Sequence, residues 1–432
     1  MLSLAEHIDF LSRLPKPGDS RIDRSGSRSD PANGLVEMRG FGSNPGNLRM
    51  FACVPARLQR PRALVVVLHG CAQSAASYDL GSGWSTLAKH YGFAVMLPQQ
   101  EPVNNASGCF NWSKPDDIAR GRGEACSIRQ MVARMVHDHG IDSRCVFVTG
   151  MSAGGAMASV MLATYPEVFA GGAIIAGLPF GIATNLREAM NAMHYPPLRP
   201  AAVLGDLVRN ASRHRGAFPK VSVWHGSADR IVNPTNAGEI VKQWLDVHHL
   251  PDVPMSECIV DGYPRKVWWN TDGDTLVESY EITDMGHGTP LGRAEDERSY
   301  GEPGGYMLDA GISSSHHIAK FFRLTHSIPV SRPARPASPS TKLIPAVCWI
   351  AAPKAQAEAE PSRVAELPSV VAALVEVPPP PVPLHSKLQA PWPLPREPTE
   401  ARPNVSTQRP HRILGRVRHA IVRKLVAARL MK

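Results

Sequence analysis

The run Val146-Phe147-Val148-Thr149-Gly150-Met151-Ser152-Ala153-Gly154-Gly155 constrains this chain more than any other segment. Its first three residues predict a buried strand, and Ala153 to Thr164 predicts a helix ended by Tyr165-Pro166. Between them lies a turn so tight that strand and helix cross closely, which is why glycine stands at 150 and 154. The serine at its centre projects from that turn with its hydroxyl exposed. It opens a helix, so backbone N–H groups point to where an oxyanion would form. Ser152 is therefore the candidate nucleophile; the alternative is a tight turn with no catalysis.

The surroundings repeat the same alternation. Leu64-Val65-Val66-Val67-Leu68 and Phe93-Ala94-Val95-Met96-Leu97 are short, continuous apolar runs, the second ending at Pro98. Such runs suit strands buried on both faces of a parallel sheet. Helices are expected at Gly83 to Tyr91 and at Glu124 to His139, where Ile128, Met131, Val132, Met135 and Val136 form one stripe. Further strands are expected at Ala173–Ala176, Val221–Trp224 and Ser279–Ile282. The reading is an α/β fold, a mostly parallel central sheet with helices on both faces. Its active site belongs at the carboxyl ends of the strands.

A serine hydroxyl needs a base to act as a nucleophile. In hydrolytic folds with this elbow the chain order is serine, acid, histidine. His287, in Asp284-Met285-Gly286-His287-Gly288, follows the last strand between flexible glycines and is the expected base. His316 and His317 precede a helical run through Phe321-Phe322 and are expected to pack there; His248 and His249 are expected to be solvated near a helix end. Asp229, in the loop after Val221–Trp224, is expected to orient His287, unless it only caps a turn. Asp284 ranks second, and His225 reads as a turn or supporting histidine. His69-Gly70-Cys71-Ala72-Gln73 leaves the first buried strand. The N–H of Cys71 or Ala72 is expected to complete an oxyanion hole with that of Ala153, while His69 holds the loop or is only a polar strand end.

Net charge is +9, with 47 Lys/Arg against 38 Asp/Glu, but its distribution excludes a nucleic-acid reading of the body. Beyond about Ser327 there are 19 of the 40 prolines, one glycine, and 16 basic against 6 acidic residues, leaving 31 against 32 before it. Residues 327–408 read as a disordered, Pro-rich linker. Residues 409–432, with eight Lys/Arg and no acid, read either as a basic amphipathic helix able to contact an anionic surface or as a solvated end. Residues 1–35 read as a short amphipathic helix and a loose segment. Glu6, His7, Asp9 and Arg13 interrupt any secretory h-region. No run approaches the roughly 18–20 apolar residues of a transmembrane helix. The seven cysteines show no C-x-x-C, there is no H-E-x-x-H, and so no metal site is expected.

Taken in order, these segments resemble the polyhydroxybutyrate (PHB) depolymerase family of esterases, which are α/β-hydrolases. The resemblance rests on Leu68–Gln73, Gly108-Cys109-Phe110-Asn111-Trp112, Arg120-Gly121-Arg122-Gly123-Glu124, Gly150–Met157, Tyr165–Ala170, Gly286-His287-Gly288 and Gly301–Ser314. It spans Val36 to Leu324, so residues 36–326 are expected to form the esterase domain. It implies a Ser152–Asp229–His287 triad that cleaves an ester through an acyl-enzyme, without a cofactor. It also implies a substrate pocket formed by His69, Trp112 and Met151, with an ordinary core tryptophan as the alternative for Trp112. A disulfide between Cys71 and Cys109 is implied too. The substrate classes in view are polyhydroxyalkanoate or its oligomers, and, at the family's border, feruloyl and acetylxylan esters. Members are often extracellular, whereas the first residues favour the cytoplasm.

Overall fold

Every side chain of Leu64–Leu68 is buried, and they alternate between two separate apolar clusters. Leu64, Val66 and Leu68 face one layer of helices; Val65 and Val67 face the other. Taking each such side chain out of water contributes about 1.5–3 kcal/mol. A one-residue slip would exchange the two faces, so the register is strongly specified. This strand is β3 in the computed structural model, which describes residues 34–56, 62–293 and 300–325. All lie in the first of the chain's two units, residues 1–339. The proposed N-terminal helix, the Pro-rich linker at 327–408 and the basic segment at 409–432 lie outside the described residues.

Around β3 runs a ten-stranded sheet. Its parallel centre comprises β4 (Ala94–Gln99), β3, β5 (Val146–Met151), β6 (Gly171–Ile175), β7 (Lys220–Gly226) and β10 (Thr275–Ile282), in that spatial order. Antiparallel pairs extend both edges: β1 (Val36–Met38) and β2 (Arg49–Cys53) beside β4, and β9 (Tyr263–Trp269) and β8 (Ser256–Val260) beside β10. Helices α4 (Gly123–His139), α5 (Ala153–Thr164), α7 (Ala201–Asn210) and α8 (Thr235–Val247) supply one apolar cluster. Helices α1 (Ala75–Ser82), α2 (Trp84–Tyr91) and α9 (Ser314–Phe321) supply the other. The remaining elements are short: α3 (Pro115–Ile118), α6 (Leu186–His194), and the pair β11 (Thr289–Leu291) and β12 (Met307–Asp309).

The sheet with helices on both faces is the one the alternation implies; several local readings change. The strand expected to stop at Pro98 continues to Gln99, because Pro98 lies opposite Met50 of β2 and the strand pairs on through Gln99 with Arg49. A helix, α1, precedes the one expected at 83–91. The two are divided by Gly83, at φ 74°, where a Cβ would lie 2.0 Å from the Tyr300 carbonyl oxygen. His316 and His317 sit within α9, not before it. His248 is not simply solvated: its Nε2 lies 3.0 Å from the Pro219 carbonyl oxygen, and burial pushes its pKa down to about 4. The edge strands give no signal because a strand such as β8, exposed over Glu257–Ile259, carries no two-residue apolar period.

Candidate active site

β5 delivers the serine. Ser152 has φ 57° and ψ −119°, a conformation a non-glycine residue holds only at a cost of about 1–3 kcal/mol. Two hydrogen bonds pin it: its N–H donates to the Ile175 oxygen at 2.9 Å, and its carbonyl accepts the Ala156 N–H at 2.9 Å. The flanking glycines have no room to be anything else. A Cβ on Gly154 would lie 2.2 Å from the Leu68 oxygen, and one on Gly150 would lie 2.4 Å from the Gly154 oxygen. Strain and interlock together push the hydroxyl out of a turn whose neighbours, Met151 and Ala153, are buried.

Loops after β7 and β10 bring the other two groups to it. The loops are stitched by Ala228 N–H to the Met285 oxygen and Ser227 N–H to the Ile282 oxygen, each at 3.0 Å. His287 Nε2 is 2.9 Å from Ser152 Oγ, and its Nδ1 is 2.7 Å from Asp229 Oδ2. Because Oδ2 can only accept, Nδ1 carries the proton and Nε2 is left to take one from the hydroxyl. Asp229 Oδ1 accepts N–H groups from Ile231 (2.8 Å) and Val232 (2.9 Å). Burial alone would raise the Asp229 pKa, but hydrogen bonds from His225 and His287 outweigh it and hold the group well below the usual carboxylate range. The carboxylate at His287 is thus that of Asp229. Asp284, exposed at φ 60°, instead has its N–H on Ser227 Oγ.

Opposite lies the loop after β3. Cys71 and Cys109 are bridged, 38 residues apart in sequence. The Ala72 N–H donates to the Ser107 oxygen at 2.9 Å, so Ala72 is removed from the expected oxyanion donors. Among the described residues the N–H groups of Cys71 and Ala153 have no acceptor. Gln73, not singled out from sequence, folds back: its Oε1 accepts the Gly70 N–H at 2.8 Å, and its Nε2 reaches the Gly305 oxygen at 3.4 Å.

Two expected pocket residues are core residues. His69 is 1% exposed, with Nδ1 2.7 Å from the Gly70 oxygen and Nε2 accepting the Gln100 N–H at 3.1 Å. Burial lowers its pKa to about 4, so it is a neutral brace for the loop. Met151 is also 1% exposed and packs beneath Gly70, where a Cβ would come within 3.1 Å of its Cε. As the last residue of β5, Met151 faces the same apolar cluster as Phe147, and the turn that presents the serine begins only after it. Trp112 is half-buried and packs against both the main core and a smaller cluster of Ala156, Leu178, Ile182, Leu204 and Val232.

A buried polar network under this loop escaped sequence reasoning. Glu124, fully buried at the start of α4, accepts Asn111 N–H (2.8 Å), Asn111 Nδ2 (2.7 Å) and Gln100 Nε2. Gln100 Nε2 also reaches the Cys109 oxygen at 2.9 Å. Burial pushes the Glu124 pKa up to about 7. The only hint was its place in Arg120–Glu124. Tyr306, read from sequence only as part of Gly301–Ser314, also lies at the site; its ring is edge-on to His287, 5.8 Å between centroids, with φ 63°. No cluster of three potential metal ligands occurs among the described residues.

The chain is similar to known proteins. Residues 48–256 match the family described as Esterase PHB depolymerase. The chain is 46% identical over 289 residues to the poly(3-hydroxyalkanoate) depolymerase C of Paucimonas lemoignei, covering 67% of this chain and 70% of that protein. It is 33% identical to feruloyl esterase B of Neurospora crassa, over 59% of this chain and 88% of that one. A solved structure, the acetyl xylan esterase of Aspergillus awamori, superposes with a TM-score of 0.54 at 28% identity, over 59% of this chain and 93% of that one.

Proposed function

The chain belongs to the polyhydroxybutyrate depolymerase family of esterases and is a carboxylic ester hydrolase, and from that footing we propose that it cleaves polyhydroxyalkanoate or its oligomers through an acyl-enzyme on Ser152. One observation carries the chemistry: the continuous hydrogen-bond chain from Ser152 Oγ through His287 to Asp229. Ser152 Oγ attacks the ester carbonyl as His287 Nε2 takes its proton. The N–H groups of Cys71 and Ala153 hold the oxyanion. His287 then gives the proton to the departing alcohol. Water repeats the sequence on the acyl-enzyme, releasing the acid and restoring Ser152. Asp229, kept ionised, stabilises the imidazolium throughout.

The polymer reading is supported by the 46% identity to a depolymerase. Its test is release of 3-hydroxybutyrate from amorphous PHB granules, with Ser152→Ala as control. Release by wild type alone is expected. A second reading, a feruloyl or acetylxylan esterase, is supported by relatives near 30% identity and by the superposed esterase. Cleavage of p-nitrophenyl butyrate and methyl ferulate without granule release would favour it. The basic segment 409–432 is proposed to carry the enzyme to an anionic surface; unchanged granule co-sedimentation after its deletion would sink that idea.

A further inference from the structure

His225, the penultimate residue of β7, is 3% exposed and has no part in the steps above. Its Nε2 lies 2.9 Å from the Val232 oxygen and 3.2 Å from Asp229 Oδ2. That oxygen is the one 2.7 Å from His287 Nδ1. We propose that His225 is a positioning residue that shares the Asp229 carboxylate with His287, its Nε2–H holding Oδ2 in place for the base. The inference rests on the triad reading above.

Three observations fix the chemistry. Both neighbours of Nε2 are acceptors, so Nε2 carries a proton. Nδ1 is buried with no partner among the described residues, and a proton there would be a buried donor without an acceptor. The ring is therefore the Nε2–H tautomer. Finally, the other carboxylate oxygen is occupied by Ile231 and Val232 N–H, so among the described residues the side-chain donors at Asp229 are two imidazoles, from β7 and from the loop after β10. These are also the charged or titratable groups that act on the carboxylate. A second donor on Oδ2 does two things. It locks the carboxylate's rotation, and it draws charge from Oδ2, which weakens the carboxylate's hold on the imidazolium. Without it, Asp229 becomes a stronger acceptor, and His287 holds its extra proton to higher pH.

The test is the pH profile of kcat/KM on p-nitrophenyl butyrate. In His225→Leu the acid limb is expected to move up by about half a pH unit, with kcat reduced about tenfold and KM within about twofold. His225→Gln, which places an amide donor at similar reach, is expected to return the limb to its wild-type position. A folded His225→Leu variant with an unmoved limb and only a lower Tm overturns the proposal, as does a shift that Gln does not reverse. Should the Leu variant fail to fold, 15N shifts of His225 in the wild type at pH 8 decide: a proton on Nδ1 rather than Nε2 refutes it. Asp229→Asn separates the two levels. Wild-type activity in that variant refutes the triad reading itself, whereas its loss beside an unmoved His225→Leu limb refutes only the role of His225.

Discussion

Removing the Cys71–Cys109 bridge tests how far the oxyanion loop depends on a distant tether. The bridge closes a loop of 38 residues in sequence. Chain-entropy reasoning for that length gives about 4 kcal/mol of stabilisation. With a urea m-value near 3 kcal/mol/M, Cys71→Ser/Cys109→Ser should lower the unfolding midpoint by about 1 M. The bridge also acts locally. Cys71 carries one of the two N–H groups proposed for the oxyanion hole, and its neighbour Ala72 is tied to Ser107 on the other side of the same loop. Loosening the loop spoils the aim of that donor without deleting it. Losing a donor outright costs about 10²–10³ in kcat, so a drop of about tenfold with little change in KM is expected. The assay pairs urea unfolding with p-nitrophenyl butyrate kinetics for the double variant and for wild type with and without reductant. Unchanged midpoints in both would refute the tether. A lower midpoint with wild-type kcat would leave the tether but refute its part in the oxyanion hole.

Further outcomes follow from other groups. Asp229→Asn should lower kcat by about four orders of magnitude, because the amide can present a donor to His287 and favour the wrong tautomer; single-turnover kinetics within tenfold of wild type would contradict it. Glu124 keeps its proton up to about pH 7 in the fold, against an ordinary value of 4.5. The folded state thus binds more protons between those values, and stability falls as pH rises from about 4.5 to about 7, then levels. The loss approaches about 3 kcal/mol. Glu124→Gln should flatten that slope in unfolding measured from pH 4 to 8, and an identical slope would exclude Glu124 as its source. Gly154→Ala puts a methyl 2.2 Å from the backbone oxygen of Leu68, which cannot swing aside. A loss of about 1–3 kcal/mol is expected in thermal unfolding, with lower kcat as Ala153 is displaced; a wild-type Tm would show that the elbow has slack.

The elbow and the order of the site were legible because both are local. Val146–Val148 and Ala153–Thr164 declare strand and helix by apolar period and length, and Gly150 and Gly154 stand where no Cβ fits. The strand-end positions of Asp229 and His287 follow from the same alternation of strand and helix. What the sequence alone determined was therefore a mostly parallel α/β sheet with a serine, an acid and a histidine at successive strand ends.

Tertiary structure decided what each group touches. His287 meets Asp229 across 58 positions and Ser152 across 135, and no periodicity reports such distances. It gave the Ala72 N–H to Ser107, leaving Cys71 and Ala153 as the open donors. His69 and Met151 were sent into the core, where a strand's alternation and a neighbouring glycine made room for them. His225 and Glu124 acquired their partners only when β7, α4 and the loops around them closed. Which hydrogen-bonding group is free and which is spent depends on partners brought in by the whole fold, and that is why it could not be read from the chain.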